Sequence, residues 1–202
     1  YKKVPLIEKG IKEGFLLIPG EGKIDLRNIK DDERACYLVN GDKIEKMQYF
    51  SDETNRLYKL QLTKGWPTIA LSGVPMHRIT RINPEDHAKE ITGFVKNGNN
   101  VLDCCMGLGY TAIFASERAK KVITVEIDNN VFEVTKLNPY SKPLFNKKNI
   151  EIIQGDSAEI IKRFKDKTFD VVIDDAPTFD MGISLYSREF FKDAYKTLKA
   201  KG

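Results

Sequence analysis

Cysteine is scarce in this chain: there are three in 202 residues, Cys36 alone and Cys104 beside Cys105. That pattern excludes a disulfide framework and lacks the paired spacing of a zinc site, so no metal is expected. No apolar run approaches the ~20 residues that a membrane helix needs. The first residues show no succession of charged, apolar and small residues that would mark a secretory signal. A soluble cytoplasmic protein without a membrane partner is the expectation. Blocks of like charge are missing too: 33 Lys and Arg are interspersed with 29 Asp and Glu, for a net charge of +4. Charge therefore lends a nucleic-acid partner little support. There is no internal repeat and no low-complexity segment. An initiating Met is absent, and the chain stops at Lys201-Gly202, just after a helical pattern. C-terminal strands of the domain are expected beyond that point.

What is present begins with short strands. Phe15 to Pro19 is a short apolar run closed by the turn signal Pro19-Gly20-Glu21-Gly22. Cys36 to Val39 and Lys43 to Phe50 flank Asn40-Gly41, a dipeptide suited to a tight hairpin. Tyr58, Leu60 and Leu62 alternate with Lys59 and Gln61, the period of a half-buried strand. Thr68 to Ser72 and Met76 to Ile79 complete a predicted β meander, with His77 and Arg78 at its end. Asn83-Pro84-Glu85-Asp86 then reads as a helix start: a capping residue, a proline at the first position, and two acids at the positive end of the dipole. Ile91, Phe94 and Val95 give its apolar stripe.

Beyond Asn100 the pattern alternates. Predicted strands Val101–Asp103, Val122–Glu126, Ile150–Ile153 and Phe169–Asp174 are separated by predicted helices at Tyr110–Ala119, Asn129–Leu137 and Ala158–Phe164. Asn138-Pro139 should end the second of these. A last helix carries Phe190, Ala194 and Leu198 on one stripe, with Phe191 and Tyr195 beside them. Alternation of this kind implies an α/β fold, a Rossmann-like parallel sheet with helices on both faces and a ligand at the carboxyl ends of the strands. The expected division is a small β-rich N-terminal domain at residues 1–81 and the Rossmann-like domain at residues 82–202.

Gly107-Leu-Gly-Tyr-Thr-Ala112 satisfies the dinucleotide fingerprint, which makes an NAD-dependent oxidoreductase an alternative. The acids around it argue for another ligand. Asp103 stands four residues before Gly107, where it would repel a pyrophosphate. Glu126, followed by Ile127, ends the second strand, where a ribose would lie. Asp156, followed by Ser157, offers an acceptor for an adenine amine, and Asp174-Asp175-Ala-Pro177 forms a further acidic turn. A ligand with a ribose, an adenine, an amino acid tail and a positive sulfur fits these acids. That ligand is S-adenosylmethionine.

Asp103-x-Cys105-x-Gly107-x-Gly109 resembles the first motif of class I S-adenosylmethionine-dependent methyltransferases, with Cys105 in place of a glycine. Leu102 to Ala112, Leu137-Asn-Pro139 and Leu185-Tyr-Ser-Arg-Glu-Phe190 more closely resemble a group of predicted archaeal methyltransferases. That group is similar to spermidine synthases, which also place a small β domain first. The resemblance implies that Asp103, Cys105, Gly107, Gly109 and Tyr110 lie at the methionine end of the cofactor. It further implies Glu126 and Ile127 at the ribose, Asp156 and Ser157 at the adenine, and Asp174 near the reacting methyl. Leu198 to Gly202 is similar to the family's lead into a β hairpin, and three strands near the sheet edge are expected outside this sequence.

Methyl transfer needs orientation, exclusion of water and a deprotonated acceptor. Asp174 and Asp175 are the candidate catalytic pair, one of them orienting an amine and helping to remove its proton. Neighbouring acids on a strand point to opposite faces, so one of the two is expected to reach the acceptor. Asp175-Ala-Pro177-Thr-Phe179 partly resembles the Asp-Pro-Pro-Tyr type turn of enzymes that methylate amino nitrogens. Cys105 lies inside the cofactor turn, and a small hydrophobe rather than a nucleophile is expected there. The methyl acceptor, small-molecule or macromolecular, stays open, as does a homodimer. The alternatives are aminopropyl transfer of the spermidine synthase type and a non-catalytic S-adenosylmethionine-binding or RNA-binding module.

Overall fold

The computed structural model describes residues 11–12, 15–18, 22–25, 34–40, 43–176 and 183–200. Antiparallel pairs come first. β1 (Ile11–Lys12), β2 (Phe15–Ile18) and β3 (Gly22–Asp25) form one sheet, and β4 (Tyr37–Asn40) pairs with β5 (Lys43–Lys46). β6 (Gln48–Ser51), β7 (Arg56–Gln61), β8 (Thr68–Leu71) and β9 (Val74–Pro75) make a four-stranded meander in that order. The predicted strand Lys43 to Phe50 is thus two strands, broken by a bend at Met47, whose side chain is buried. The predicted strand Met76 to Ile79 does not form. Only Val74 and Pro75 pair with β8, and Met76 and His77 turn inward to the cleft described below. The turns at Pro19 to Glu21 and at Gly41, together with Pro177 to Phe179, lie outside the described residues.

α1 (Pro84–Ile91) starts where the capping pattern sets it, although the Asn83 amide reaches Asp86 rather than a backbone N–H. The helix stops earlier than its apolar stripe suggested. A 3-10 turn at Thr92–Phe94 follows, Val95 is buried, and Phe94 stands 80% exposed.

β10 (Asn100–Asp103), β11 (Lys121–Glu126), β12 (Ile150–Gln154) and β13 (Val171–Ile173) form a parallel sheet in the order β12-β11-β10-β13. The chain runs outward from β10 through β11 to β12, then returns to the other side of β10. Its carboxyl ends therefore open a crevice at the point where the strand order reverses. Alternate residues of these strands feed two cores. Val101 and Val122 pack with α1 (Ala88), α2 (Tyr110–Ala115) and α3 (Asn129–Leu137). Leu102, Ile123 and Val125 pack with α5 (Ser157–Ile160) and α6 (Arg188–Thr197). The fold is a Rossmann-like α/β sheet covered on both faces, preceded by antiparallel β-structure. The first core also takes in Tyr58, Leu60, Ile69 and Leu71, so it runs without a break from the front meander into the parallel sheet.

Predicted helices are shortened at their ends: α2 stops at Ala115, and α5 gives way to a 3-10 turn at Ile161–Arg163. Phe169 lies outside β13 and bridges to Leu198. On α6, Phe190 and Ala194 are buried as the stripe required, whereas Phe191 and Tyr195 are exposed. One helix went unforeseen. A 3-10 turn at Pro139–Ser141 leads into α4 (Lys142–Asn146), whose Leu144 is buried.

Leu144 explains Gly109. That glycine has φ +77°, and a Cβ there would stand 2.5 Å from Leu144 Cδ2. Gly109→Ala should therefore destabilise the fold by about 1–3 kcal/mol, from left-handed backbone and overpacking together. Urea unfolding of the variant checks this, and an unchanged midpoint would contradict it.

Candidate functional site

The turn after β10 is braced from three sides. The Cys104 N–H donates to Ile173 O at 2.9 Å, and the Met106 N–H donates to Val125 O at 2.8 Å. The Thr135 hydroxyl donates to Gly107 O at 2.9 Å, and the Ser141 hydroxyl to Leu108 O at 2.6 Å. Tyr110 is buried, and its hydroxyl is fully engaged. It donates to Pro67 O at 2.8 Å and accepts from Asn138 Nδ2 at 2.8 Å, while its ring meets Trp66 edge-on at 4.9 Å. Tyr110 thus joins the turn to the front region and is also one of the residues lining the cleft. Asn138, buried beneath the Leu-Asn-Pro sequence, also caps the following 3-10 turn.

Glu126 closes the loop end of β11. Its Oε2 accepts from the Gly107 N–H at 3.0 Å and its Oε1 from the Asp128 N–H at 2.9 Å. The carboxylate is 7% exposed. Burial pushes its pKa up to about 7, and the two N–H donors oppose that rise. Each oxygen keeps a lone pair for a further donor. Gly107 is unlike Gly109: at φ +51° it has nothing within 4 Å of a Cβ position, and it lines the cleft. Of the two glycines, one opens space and the other fills it.

Asp103 is fully buried and forms no part of the cleft wall. Its Oδ2 accepts from the Thr124 hydroxyl at 2.7 Å, across the β10–β11 pair, and its Oδ1 has no hydrogen-bond partner. Burial pushes its pKa up to about 7. The Thr124 hydroxyl opposes that rise, and the carboxylates of Asp175 and Glu126 add to it. Cys105 lines the cleft beside Cys104. Burial and then Asp103 push the Cys105 thiol far above its usual range.

Asp156 lines the cleft and caps α5, its Oδ1 accepting from the Ala158 N–H at 2.8 Å. Ser157, also in the wall, donates to Cys104 O at 2.6 Å. Ile127 is 63% exposed at the rim. The two acids after β13 separate. Asp175 lines the cleft, whereas Asp174 does not; partial burial and then Asp175 push the Asp174 carboxyl up to about 6.

Sequence reasoning singled out His77 and missed His87. These are the chain's two histidines, and both line the cleft. His87 projects from α1, with Nδ1 3.8 Å from Asp175 Oδ2. His77 is held by the Thr68 hydroxyl, 2.8 Å from Nδ1. Burial, and secondly His87, lower the His77 pKa to about 4, so its ring is neutral. Scarcity was the available signal: two imidazoles in the whole chain invited the question of whether they meet. Among the described wall residues there is no Lys and no Arg. A pyrophosphate would find no cation here, whereas a positively charged ligand would find Glu126, Asp156 and Asp175.

Residues 99–202 match the family model described as "Spermine/spermidine synthase domain". An uncharacterised protein of Methanocaldococcus jannaschii is 46% identical over 179 residues, 88% of this chain and 60% of that protein. An uncharacterised RNA methyltransferase of Clostridium tetani is 38% identical over 85 residues, 41% of this chain and 18% of its own length. A solved spermidine synthase in complex with the transition-state analogue AdoDATO shares the fold, with a TM-score of 0.64 at 20% identity, over 86% of this chain and 66% of that one. The chain thus spans less than two thirds of the length of each of these relatives. Among the described residues no helix is long and apolar enough to cross a membrane.

The buried acids set a pH dependence. Asp103 and Glu126 rise from 3.8 and 4.5 to about 7 on folding. Between those limits the folded chain holds more protons than the unfolded one, so their contribution to stability falls as pH rises through the window. Asp103→Asn should remove its share. The variant's melting temperature should gain on that of the parent as pH goes from about 5 to about 8, measured by thermal unfolding. A constant difference across that range would contradict the assignment.

Proposed function

The chain belongs to the spermine/spermidine synthase domain family, and from that premise we propose that it is an S-adenosylmethionine-dependent methyltransferase acting on a nitrogen nucleophile, on a small molecule or a macromolecule. The observation that carries the reading is the cleft wall at the strand reversal: acidic, free of Lys and Arg among its described residues, and open at Gly107. The residues fit the ligand's parts. Glu126 would take ribose hydroxyls on its remaining lone pairs, Asp156 the adenine amine, and the exposed Ile127 side chain a flat face of the base. The space at Gly107 would hold the amino acid tail. Asp103, with an unpartnered buried oxygen, would add negative potential there.

When bound, the sulfonium supplies an electrophilic methyl carbon. The chain's own residues supply orientation and proton removal. Asp175 and His87 face the cleft together, with His87 Nδ1 3.8 Å from Asp175 Oδ2. That pair would orient an amine and accept its proton, a contribution of roughly 10²–10⁴ in rate for a well-placed base. His77, neutral and fixed by Thr68, would act as a hydrogen-bonding wall rather than a charge.

Aminopropyl transfer is the second reading, favoured by the family match itself. The turn Cys104-Cys105-Met106-Gly107 departs from the Gly-Gly-Gly-Asp/Glu-Gly turn of the enzymes it resembles, and this supports methyl transfer. Calorimetric titration of the full-length protein with S-adenosylmethionine, its decarboxylated form and NAD separates the readings. Micromolar S-adenosylmethionine binding is expected. Preference for the decarboxylated form would favour aminopropyl transfer, and binding of NAD alone would refute both. Glu126→Ala should weaken S-adenosylmethionine binding by about tenfold or more, from lost charge-assisted hydrogen bonds, with an unchanged circular dichroism spectrum.

A further inference from the structure

The ribose end of the cleft is tied to the front meander through side chains that touch no part of the cleft wall. Tyr58, on β7, is wholly buried, and its hydroxyl donates to Asp128 Oδ2 at 2.5 Å. Asp128 caps α3 with its other oxygen, which accepts from the Asn130 N–H at 2.8 Å and from Asn130 Nδ2 at 3.1 Å. Its own backbone N–H is the donor to Glu126 Oε1. Tyr49 stacks on Tyr58 with ring centroids 5.4 Å apart, and it donates to Asn130 O at 2.9 Å. The helix cap is complete through Oδ1 alone. The Tyr58 bond to Oδ2 therefore adds nothing that α3 needs; it fixes the rotation of the Asp128 carboxylate and the placement of the loop that carries the Asp128 N–H.

We propose that Tyr58 is a positioning residue for nucleoside recognition: it locks Asp128, whose N–H holds Glu126 at the angle required to receive the ribose hydroxyls. This inference rests on the reading of Glu126 as the ribose carboxylate. The front β-structure then has a role at the nucleoside end of the cleft as well as at its acceptor end. Direct access is not required, since the effect travels through three hydrogen bonds: Tyr58 to Asp128, Asp128 to Glu126, and Gly107 to Glu126. The Asp128 charge also bears on Glu126, raising its pKa, so a donor on Asp128 eases that repulsion.

The test compares S-adenosylmethionine with its 2′-deoxyribose analogue by calorimetry on the full-length protein. The parent should prefer the ribose form by about tenfold or more, the worth of a charge-assisted hydrogen bond. In Tyr58→Phe that preference should shrink to about twofold while affinity for the deoxy analogue is unchanged. A purely structural role would weaken both ligands alike and keep the ratio, and that result would overturn the inference. Tyr49→Phe, which loses only the Asn130 contact, should keep the parent's ratio. Should Tyr58→Phe fail to fold, Asp128→Asn carries the same comparison: its single oxygen keeps the cap, its N–H stays, and an NH2 group that cannot accept stands where Oδ2 took the Tyr58 proton. A parent that ignores the 2′-hydroxyl would refute the ribose reading and this inference with it. Discrimination retained in Tyr58→Phe refutes the inference alone.

Discussion

One carboxylate holds the cleft in shape. Glu126 receives an N–H from the turn after β10 and another from the turn after β11, so two loops on neighbouring strands share one acceptor. Its backbone oxygen takes the Gly155 N–H, which draws the loop after β12 to the same point. Burying a carboxylate is costly, and the upward shift in its pKa records that cost. The compensation is local and directional. With an alanine there, the turns after β10 and β11 would lose their shared carboxylate, while the Gly155 N–H would keep its bond to the backbone oxygen, and the bracing from Thr135 and Ser141 would hold the first loop only from behind.

The front region completes the cleft rather than merely preceding it. Trp66 stacks on Phe114 and on Tyr140 and meets Tyr110 edge-on, joining the segment after β7 to α2 and to the 3-10 turn at Pro139–Ser141. The Glu85 carboxylate accepts the Trp66 N–H at 2.8 Å, fixing that segment to the start of α1. His77 and His87 line the same cleft as Glu126, Asp156 and Asp175. Imidazoles opposite carboxylates suit an acceptor that must be held and deprotonated. The same arrangement offers nothing to a phosphate.

The parallel sheet was legible because its strands are short runs rich in β-branched residues, separated by stretches of helical period. The turn at Gly107 and Gly109 was legible as a turn. Which glycine faced the cleft was not, since that depended on Leu144 in a five-residue helix too short to leave a periodic signal. Met76 to Ile79 read as a strand on composition, but backbone pairing with β8 goes no further than the Met76 N–H, which donates to Ile69 O. Phe94 continued an apolar stripe on paper, while the actual helix ended three residues before it. Asp174 and Asp175 were indistinguishable by type. Only the direction of the chain leaving β13 puts the second in the wall. His87 lay in a helix whose packing no local pattern announces.

Cys104 and Cys105 line the cleft in which a sulfonium would sit on the proposed reading. A cleft that presents an electrophilic carbon has to protect its own lining, and a thiolate would be the best nucleophile available to intercept it. Burial pushes both thiols well above their ordinary range, and the carboxylates of Asp103 and Asp174 push them further. The protonated sulfur is a poor trap. On that reading, the acidity that makes the crevice hospitable to a cation would also guard the chain against alkylating itself, and so let a soft, space-filling cysteine stand in the turn at position 105.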